Sequence, residues 1–298
     1  MATSLSIVVV SHDSAPELSR LVESVRAQLG GEPQLVVVDT ASADDSVAVA
    51  RSAGAEVVAL GHNPGFGEAN NVGLRQARGT VAALLNPDIE LLDDGLLRLA
   101  ELACERDALL APRLVGQDGR PEKSAHPIPG RPGAFGFALL GPALPGRWRL
   151  KAEPWRTERP IAVGWAVAAA LVARADALRA LGPFDPSAFL FYEDLDLCLR
   201  AAQRGVPTVL HPEVVVRHRG GHSTAPAFGG EPYELLARRR RDVVGARLGR
   251  RSLALDDGAQ AATFLTRAAG RILLLRSPGR PGAQLAALRR ARRRDGHP

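Results

Sequence analysis

The sequence predicts an α/β protein with a mainly parallel sheet and helices on both its faces, and three observations carry that reading. Short apolar runs recur at Leu5–Ser11, Gln34–Val38, Glu56–Leu60 and Thr80–Leu85. Stretches with helical spacing of apolar residues separate them, and strands joined through helices run parallel. At 298 residues and 46% hydrophobic composition, the chain has ample material for a buried core.

The elements follow in order. Leu5–Ser11 reads as a buried strand, and Ala15–Leu29 as a helix whose stripe is Leu18, Leu21, Val22 and Val25. Gln34–Val38 is a second strand that ends at Asp39, which makes a β-α-β start. Ser42 to Ser52 gives a short helix, Glu56–Leu60 a third strand, Glu68–Ala77 a helix stopped at Gly79, and Thr80–Leu85 a fourth strand. Asp93–Arg106 carries a leucine stripe, and Ala108–Val115 is another strand. Between Gly116 and Pro160 seven prolines accumulate among Gly and Arg, so regular structure is not expected to persist there. Ile161–Ala173 is an uncharged apolar stretch, too short for the roughly 20 residues of a membrane span, and reads as a buried strand. Arg174–Leu181 is a helix, Gly182-Pro183-Phe184-Asp185 a turn, and Glu193–Arg204 a helix whose acidic first turn suits the positive end of its dipole. Thr208–Leu210 and Val214–Arg217 read as two short strands. A basic helical tail follows, so the expected organisation is a domain over 1–230, with halves of about 1–115 and 116–230, and a tail over 231–298.

The net charge of +6 conceals an asymmetry. From Leu236 onward there are 16 arginines and four aspartates, whereas residues 1–235 carry 22 basic and 28 acidic groups. Arg238-Arg239-Arg240-Arg241, Arg289-Arg290 and Arg292-Arg293-Arg294 can attract anionic phospholipid, with Phe264-Leu265 and Ile272–Leu275 as apolar insertions. The alternative is a solvated charge run. Nucleic acid is not expected, because the tail lacks interleaved aromatics and the body is acidic. The N-terminus has no basic segment before its short apolar run, so export is not expected. Cys104 and Cys198 lack metal spacing and suit structural thiols in a reducing cytosol.

The chemistry concentrates in one pattern. Asn63-Pro64-Gly65-Phe66-Gly67-Glu68-Ala69-Asn70-Asn71-Val72-Gly73 is a glycine-rich turn opening a helix, and the next strand delivers Asn86-Pro87-Asp88. Open α/β sheets build phosphate and metal sites this way. The reading is a phosphorylated ligand. The first strand runs into Ser11-His12-Asp13 without G-x-G-x-x-G, which disfavours a nicotinamide cofactor. It also lacks the basic glycine-rich loop expected of a sugar-phosphate nucleotidyltransferase.

Taken together, Val36-Val37-Val38-Asp39-Thr40-Ala41-Ser42, the Asn63–Gly73 segment, Leu85-Asn86-Pro87-Asp88, Gly182-Pro183-Phe184-Asp185, Phe191-Tyr192-Glu193-Asp194-Leu195-Asp196 and His218-Arg219-Gly220-Gly221-His222-Ser223 resemble the inverting family 2 glycosyltransferases. The branch they resemble most is the bacterial rhamnosyltransferase-like one, over about residues 5–225. That resemblance implies the GT-A fold, a Rossmann-like sheet, and a nucleotide-sugar donor, with dTDP-rhamnose as the first candidate and a galactofuranosyl or hexosyl nucleotide as the alternative. It implies a cell-envelope glycan as acceptor; the basic tail, read as a membrane contact, adds a polyprenyl-diphosphate-linked acceptor and a cytoplasmic protein peripheral to the inner face of the membrane.

The resemblance also implies roles for residues. Asp39 accepts from the base edge, against the alternative of a helix cap; Ser42 and Asp44 read as caps. Ser11 lies at the nucleotide, although Ser11-His12-Asp13 departs from the usual pattern there. Asn63, Gly65, Gly67, Asn70 and Asn71 line the donor, against simple loop-to-helix chemistry. Asn86 and Asp88 stand where an Asp-x-Asp element holds Mg2+ or Mn2+ on the donor diphosphate, with Asp88 as the ligand and Asn86 replacing the first acid. Glu90 is an auxiliary ligand or a solvated charge. Asp194, beside Glu193, is the base that deprotonates the acceptor hydroxyl, against a helix-dipole role; Asp196 reads as structural. His218 contacts the metal or diphosphate, with Arg219, His222 and Ser223 as further diphosphate candidates. From a different class, Asn86 and His12 leave room for an inactive relative that docks on membranes.

Overall fold

The four apolar runs pair as the periodicity demands. In the computed structural model, which describes residues 4–30, 33–140, 145–182, 184–185, 190–220 and 231–294, strands β1 (Leu5–Ser11), β2 (Gln34–Thr40), β3 (Glu56–Leu60) and β4 (Val81–Leu85) lie parallel in the order β3-β2-β1-β4. Helix α1 (Ala15–Leu29) buries Leu18, Leu21, Val22, Val25 and Leu29, and Gly30 closes it in the left-handed region. Each such leucine contributes about 2 kcal/mol of burial. Helix α2 (Ser46–Ser52) starts later than the expected Ser42, because Asp39 and Asp44 hold the preceding backbone in turns: Ser42 N donates to Asp39 Oδ2 at 3.1 Å and Ser46 N to Asp44 Oδ1 at 3.0 Å. Helix α3 (Phe66–Gln76) packs on β1 and β2. Its Gly73 allows that approach, since a Cβ there would collide with Val8 Cγ1.

Beyond β4 the sheet becomes mixed. Strand β5 (Ile89–Leu91) comes next in the chain, then α4 (Gly95–Glu105) and β6 (Leu109–Val115). The expected strand over Ile161–Ala173 is three pieces. Gly164 N donates to His126 O at 2.8 Å and breaks it into β8 (Ile161–Val163), β9 (Trp165–Ala166), which pairs with β7 (Ala125–His126), and β10 (Ala170–Arg174). β10 inserts antiparallel between β4 and β6. Helices α7 (Ala175–Leu181) and α8 (Glu193–Gln203) follow. The two strands expected near the end are one, β11 (Thr208–His218), whose register against β6 shifts between His211 and Val215, where Pro212 supplies no N–H. β11 is parallel to β6 and antiparallel to β5 and β8. One core unites these layers, with Ile7, Val9, Leu21, Leu85, Ile89, Leu99 and Val172 at its centre.

These elements make one compact unit, Met1–His126 with Trp155–Ser223; Pro127–Pro154 and Thr224–Pro298 make a second. In the second unit, the proline-rich stretch read as irregular holds helices α5 (Gly133–Leu140) and α6 (Gly146–Ala152). Its prolines do not break them because Pro132 and Pro145 stand just before their first residues, where a missing N–H costs nothing. Helix α9 (Tyr233–Leu273) is kinked at Gly249, and α10 (Gly279–Arg294) packs back on it. Thr266 Oγ1 donates to Ala138 O at 3.0 Å, tying α5 to α9. Two arginines expected to face lipid point inward instead. Arg240 forms a two-pronged ion pair with Asp256 at 2.8 Å, and Arg241 pairs with buried Asp257. A buried arginine without its acid would cost several kcal/mol, so the pairing is enforced. Among the described residues no helix is long and apolar enough to cross a membrane.

Candidate functional site

The sheet's switch point lies between β1 and β4, which run side by side with Val9 opposite Leu85. The chain leaves β1 toward β2 on one side and reaches β4 on the other. Their carboxyl ends therefore open onto a crevice, where open α/β sheets bind ligands. Ser11, Asp39 and Asn86 all stand at this edge.

On the β1–β2 side, Ser11 is opposite Asp39 and both are buried. Ser11 Oγ and Ser14 Oγ are 2.9 Å apart. Asp39 Oδ1 accepts from Ser42 Oγ at 2.5 Å as well as from the Ser42 amide. The departing Ser11-His12-Asp13 sequence has a structural job. His12 Nδ1 donates to Thr40 O at 2.9 Å, and Asp13 Oδ1 accepts from Ala43 N at 2.6 Å, so the two strand-end loops are stitched together. Asp44 Oδ2 adds a cap on Ala15 N at 2.8 Å, and these bonds hold its carboxyl below the usual range against the opposing effect of burial.

The glycine-asparagine segment opens α3 at the same edge. Gly65 has φ of 92°, a conformation side chains resist, and its N–H donates to Asn63 Oδ1 at 2.9 Å. A Cβ at Gly67 would lie 3.0 Å from Phe184 Cβ. Asn70 Nδ2 donates to Phe66 O at 2.9 Å. Asn71 donates to Phe184 O at 3.0 Å and accepts from Phe184 N at 3.1 Å, clamping the Phe184 backbone. Asn70 and Asn71 thus take part in local and long-range framework bonds.

After β4, Asn86 N donates to Ala169 O at 2.8 Å, and the chain turns through Asp88 into β5. β5 pairs with the end of β11, Ile89 opposite His218, and this sets Asp88 beside His218 and Gly220. Asp88 Oδ2 accepts from Gly220 N at 3.0 Å and lies 3.5 Å from His218 Nε2. Asp88 Oδ1 and Asn86 Oδ1 are buried oxygens without a hydrogen-bond partner. Two orphaned hard oxygens fit a divalent cation, which offsets the desolvation they otherwise suffer. Among the described residues no three His, Cys, Asp or Glu side chains converge as a ligand cluster. His218 Nδ1 donates to Glu122 Oε2 at 2.8 Å. Burial pulls the His218 pKa down, but the Glu122 bond and the Asp88 and Glu122 charges outweigh it and raise the pKa overall. Glu90 pairs with Arg217 at 2.7 Å and Arg219 at 3.1 Å; burial raises its pKa, and the two guanidiniums more than reverse that.

Asp194 reaches the same edge from α8. Its Oδ2 accepts from Ala168 N at 3.3 Å, next to the Ala169 carbonyl that binds Asn86, and its Oδ1 accepts from Leu195 N at 2.7 Å. The residue keeps a partly exposed face in an otherwise enclosed position, and burial pushes its pKa up to about 6. Glu193 is buried at the first position of α8, and Asp196 pairs with Arg200 at 2.7 Å. Phe191 and Tyr192, just before the helix, both have left-handed φ, 73° and 63°. Such strain costs about 1–3 kcal/mol per residue and is concentrated at functional sites. Trp165, stacked on His126 at 4.2 Å, lies 6.1 Å from the Tyr192 ring and helps hold this turn. The nearby Cys198 thiol is buried, and burial raises its pKa to about 11, so it is chemically inert.

The structure therefore gathers Ser11, Asp39, Asn86, Asp88, Asp194 and His218 at one sheet edge. His222 and Ser223 lie outside the described residues, as do Pro183 and Gly221. Sequence reasoning missed Glu122 and the Trp165–His126 support. A carboxylate in a Pro/Gly-rich stretch gave no periodic signal for the first.

Three comparisons place this arrangement among known proteins. Residues 6–152 match glycosyl transferase family 2. The N-acetylglucosaminyl-diphospho-decaprenol L-rhamnosyltransferase of Mycobacterium tuberculosis is 28% identical over 263 residues, 80% of this chain and 81% of that protein. Among solved structures, the mannosyltransferase PcManGT from Pyrobaculum calidifontis, in complex with GDP-Man and Mn2+, aligns over 98% of this chain and 86% of its own, with a TM-score of 0.60 at 15% identity. GalNAc-T7 with UDP, GalNAc and Mn2+ aligns over 81% of this chain and 47% of its own, with a TM-score of 0.57 at 18% identity. The fold is the GT-A type that the motifs implied.

Proposed function

Residues 6–152 place this chain in glycosyl transferase family 2, and from that premise we propose that it transfers L-rhamnose from dTDP-rhamnose, with inversion, to a hydroxyl of a polyprenyl-diphosphate-linked glycan. The observation that carries the transferase chemistry is the placement of Asp194. A carboxylate with a raised pKa is hung from Ala168, one residue from the strand pair that presents Asn86 and Asp88. The 28% identical mycobacterial rhamnosyltransferase supports the choice of sugar and acceptor.

Asp194 takes the proton of the acceptor hydroxyl as that oxygen attacks the anomeric carbon; the bond to the donor diphosphate breaks on the opposite face. Its two backbone donors aim the carboxylate and keep it in place. Asp39 and Ser11 receive the nucleoside at the β1–β2 edge. Asp88, Asn86 and His218 would hold a divalent cation, Mg2+ or Mn2+, which supplies charge neutralisation for the departing diphosphate. Arg219, anchored by Glu90, adds a fixed cation beside that position.

The direct test is nucleoside diphosphate release from a panel of sugar nucleotides with Mg2+ or Mn2+ and bacterial membranes. Acceptor-dependent release from dTDP-rhamnose alone is the expected result. Release from a galactofuranosyl or hexosyl donor would replace the sugar and keep the mechanism. Donor binding without turnover in any membrane preparation would favour the inactive docking protein.

We also place the protein at the cytoplasmic face of the cell membrane, through its second unit. With Arg240 and Arg241 turned inward, the apolar contribution comes from Leu139, Leu140, Trp148, Leu265 and Ile272–Leu275, all exposed, with Leu275 98% so. No acid occurs from Pro127 to Ala152 or from Gly258 to Arg294, so the charges flanking these residues are arginines and Lys151. Each basic group near an anionic surface contributes about 1 kcal/mol. The protein is expected to sediment with phosphatidylglycerol vesicles and not with phosphatidylcholine ones, and Leu139→Ser with Leu275→Ser is expected to weaken that binding about tenfold. Equal binding to both lipids, or to neither, would remove the membrane assignment.

A further inference from the structure

We propose that Glu122 is a positioning residue that orients the His218 imidazole toward the cation held at Asp88. The inference rests on the metal reading just given. Its observation is a chain of contacts. Glu122 Oε2 accepts from His218 Nδ1 at 2.8 Å, and on the far side of the ring His218 Nε2 faces Asp88 Oδ2 at 3.5 Å. With Nδ1 carrying the donated proton, the neutral ring keeps its lone pair on Nε2, the nitrogen on the Asp88 side. A histidine that ligates a metal takes its tautomer and direction from the partner of its other nitrogen.

The backbone explains how a residue 96 positions away comes to do this. The chain leaves β6 at Val115 and turns back through Gly116–Arg120, where Gly116 N donates to Arg120 O at 2.9 Å and Gly119 has φ of 74°. Pro121 bridges back to Val115, and Glu122 N donates to Leu114 O at 2.9 Å. β6 and β11 are parallel neighbours, with Leu114 opposite Val216 and Val115 opposite Arg217. The turn thus sets Glu122 alongside the end of β6, within reach of the imidazole where β11 ends. Backbone bonds already hold the loop, so its fold does not require the carboxylate, which leaves His218 as the group that the side chain serves.

The test is Mn2+ binding, followed by electron paramagnetic resonance of free Mn2+ on the whole protein, with and without thymidine diphosphate. Glu122→Ala is expected to weaken Mn2+ binding about tenfold, the effect typical of losing such a partner. Glu122→Gln, whose amide oxygen still accepts from Nδ1, is expected to lose less than threefold. His218→Ala is expected to weaken binding at least as much as Glu122→Ala, and the double variant no more than His218→Ala alone, because Glu122 acts only through that ring. Melting curves unchanged between wild type and variants separate positioning from unfolding. An unchanged affinity in Glu122→Ala alongside a loss in His218→Ala would overturn the proposal and leave the metal reading standing, as would additive losses in the double variant. No loss in His218→Ala would remove His218 from the metal site, and the proposal with it.

Discussion

Replacing Asp194 by asparagine is expected to abolish transfer and, in the same molecule, to remove a pH-dependent penalty on folding. A general base contributes about 100- to 10,000-fold, and an amide cannot take a proton from the acceptor, so kcat should fall by that order while donor binding is kept. The pH dependence of stability is independent of activity. Burial raises the Asp194 pKa from its ordinary 3.8 to about 6 in the folded protein. Between those values the native state binds more proton than the unfolded chain, so stability falls as pH rises through the window and stays lower above it. At about 1.4 kcal/mol per pH unit the loss is roughly 3 kcal/mol with water excluded, and about 2 given the exposure that remains. Asparagine has no such term. It loses one of the two backbone bonds at every pH, which costs about 1 kcal/mol, so the diagnostic is the difference between variant and wild type across pH. Urea unfolding at pH 4.5 and pH 8, which spans about two thirds of that titration, should show the variant gaining roughly 1.3 kcal/mol on wild type between them. Wild-type kcat should rise through pH 6 and flatten above it. A stability difference that does not move with pH would mean that the carboxylate titrates normally and is not tuned as a base.

The parallel half of the sheet was legible because its strands are buried and continuously apolar, so β1, α1 and β3 have the bounds that the sequence reading set. The second half was less so. β5 is three residues, Ile-Glu-Leu, below the length at which a pattern can be seen, yet its pairing with β11 is what sets Asp88 against His218. Proline was read as a breaker over Gly116–Pro160, whereas at the first turn of a helix it is a starter. The contacts that shape the site span distances no local pattern records: Asn71 to Phe184 across 113 positions, Glu122 to His218 across 96. Family motifs named Asp88 and Asp194 as chemistry. That Asp194 hangs from a backbone amide beside the β4–β10 pair, and that Arg240 and Arg241 face acids instead of lipid, are tertiary facts.

Asp88→Asn is expected to separate metal-assisted donor binding from the fold. The substitution keeps the shape of the side chain and an oxygen for the Gly220 amide, so the turn into β5 should persist and the melting temperature should shift little. What it removes is the charge behind an oxygen that has no hydrogen-bond partner in its buried position. Asn86 already lacks a charge, so Asp88 is the one carboxylate of the Asn86-Pro87-Asp88 turn, and nothing in that turn compensates for its loss. Charge stabilisation through a cation is worth several kcal/mol, and about 4 kcal/mol corresponds to roughly a thousandfold in rate. Turnover should fall on that scale. In calorimetry, Mn2+ should tighten thymidine diphosphate binding to the wild type and leave the variant unaffected, while metal-free affinity is the same in both. If Mn2+ tightens nucleotide binding equally in the two proteins, the cation is not held at Asp88. If turnover survives a chelator in the wild type, the departing diphosphate is neutralised by cationic side chains, and Arg219, braced by Glu90 at 3.1 Å, becomes the group to substitute next.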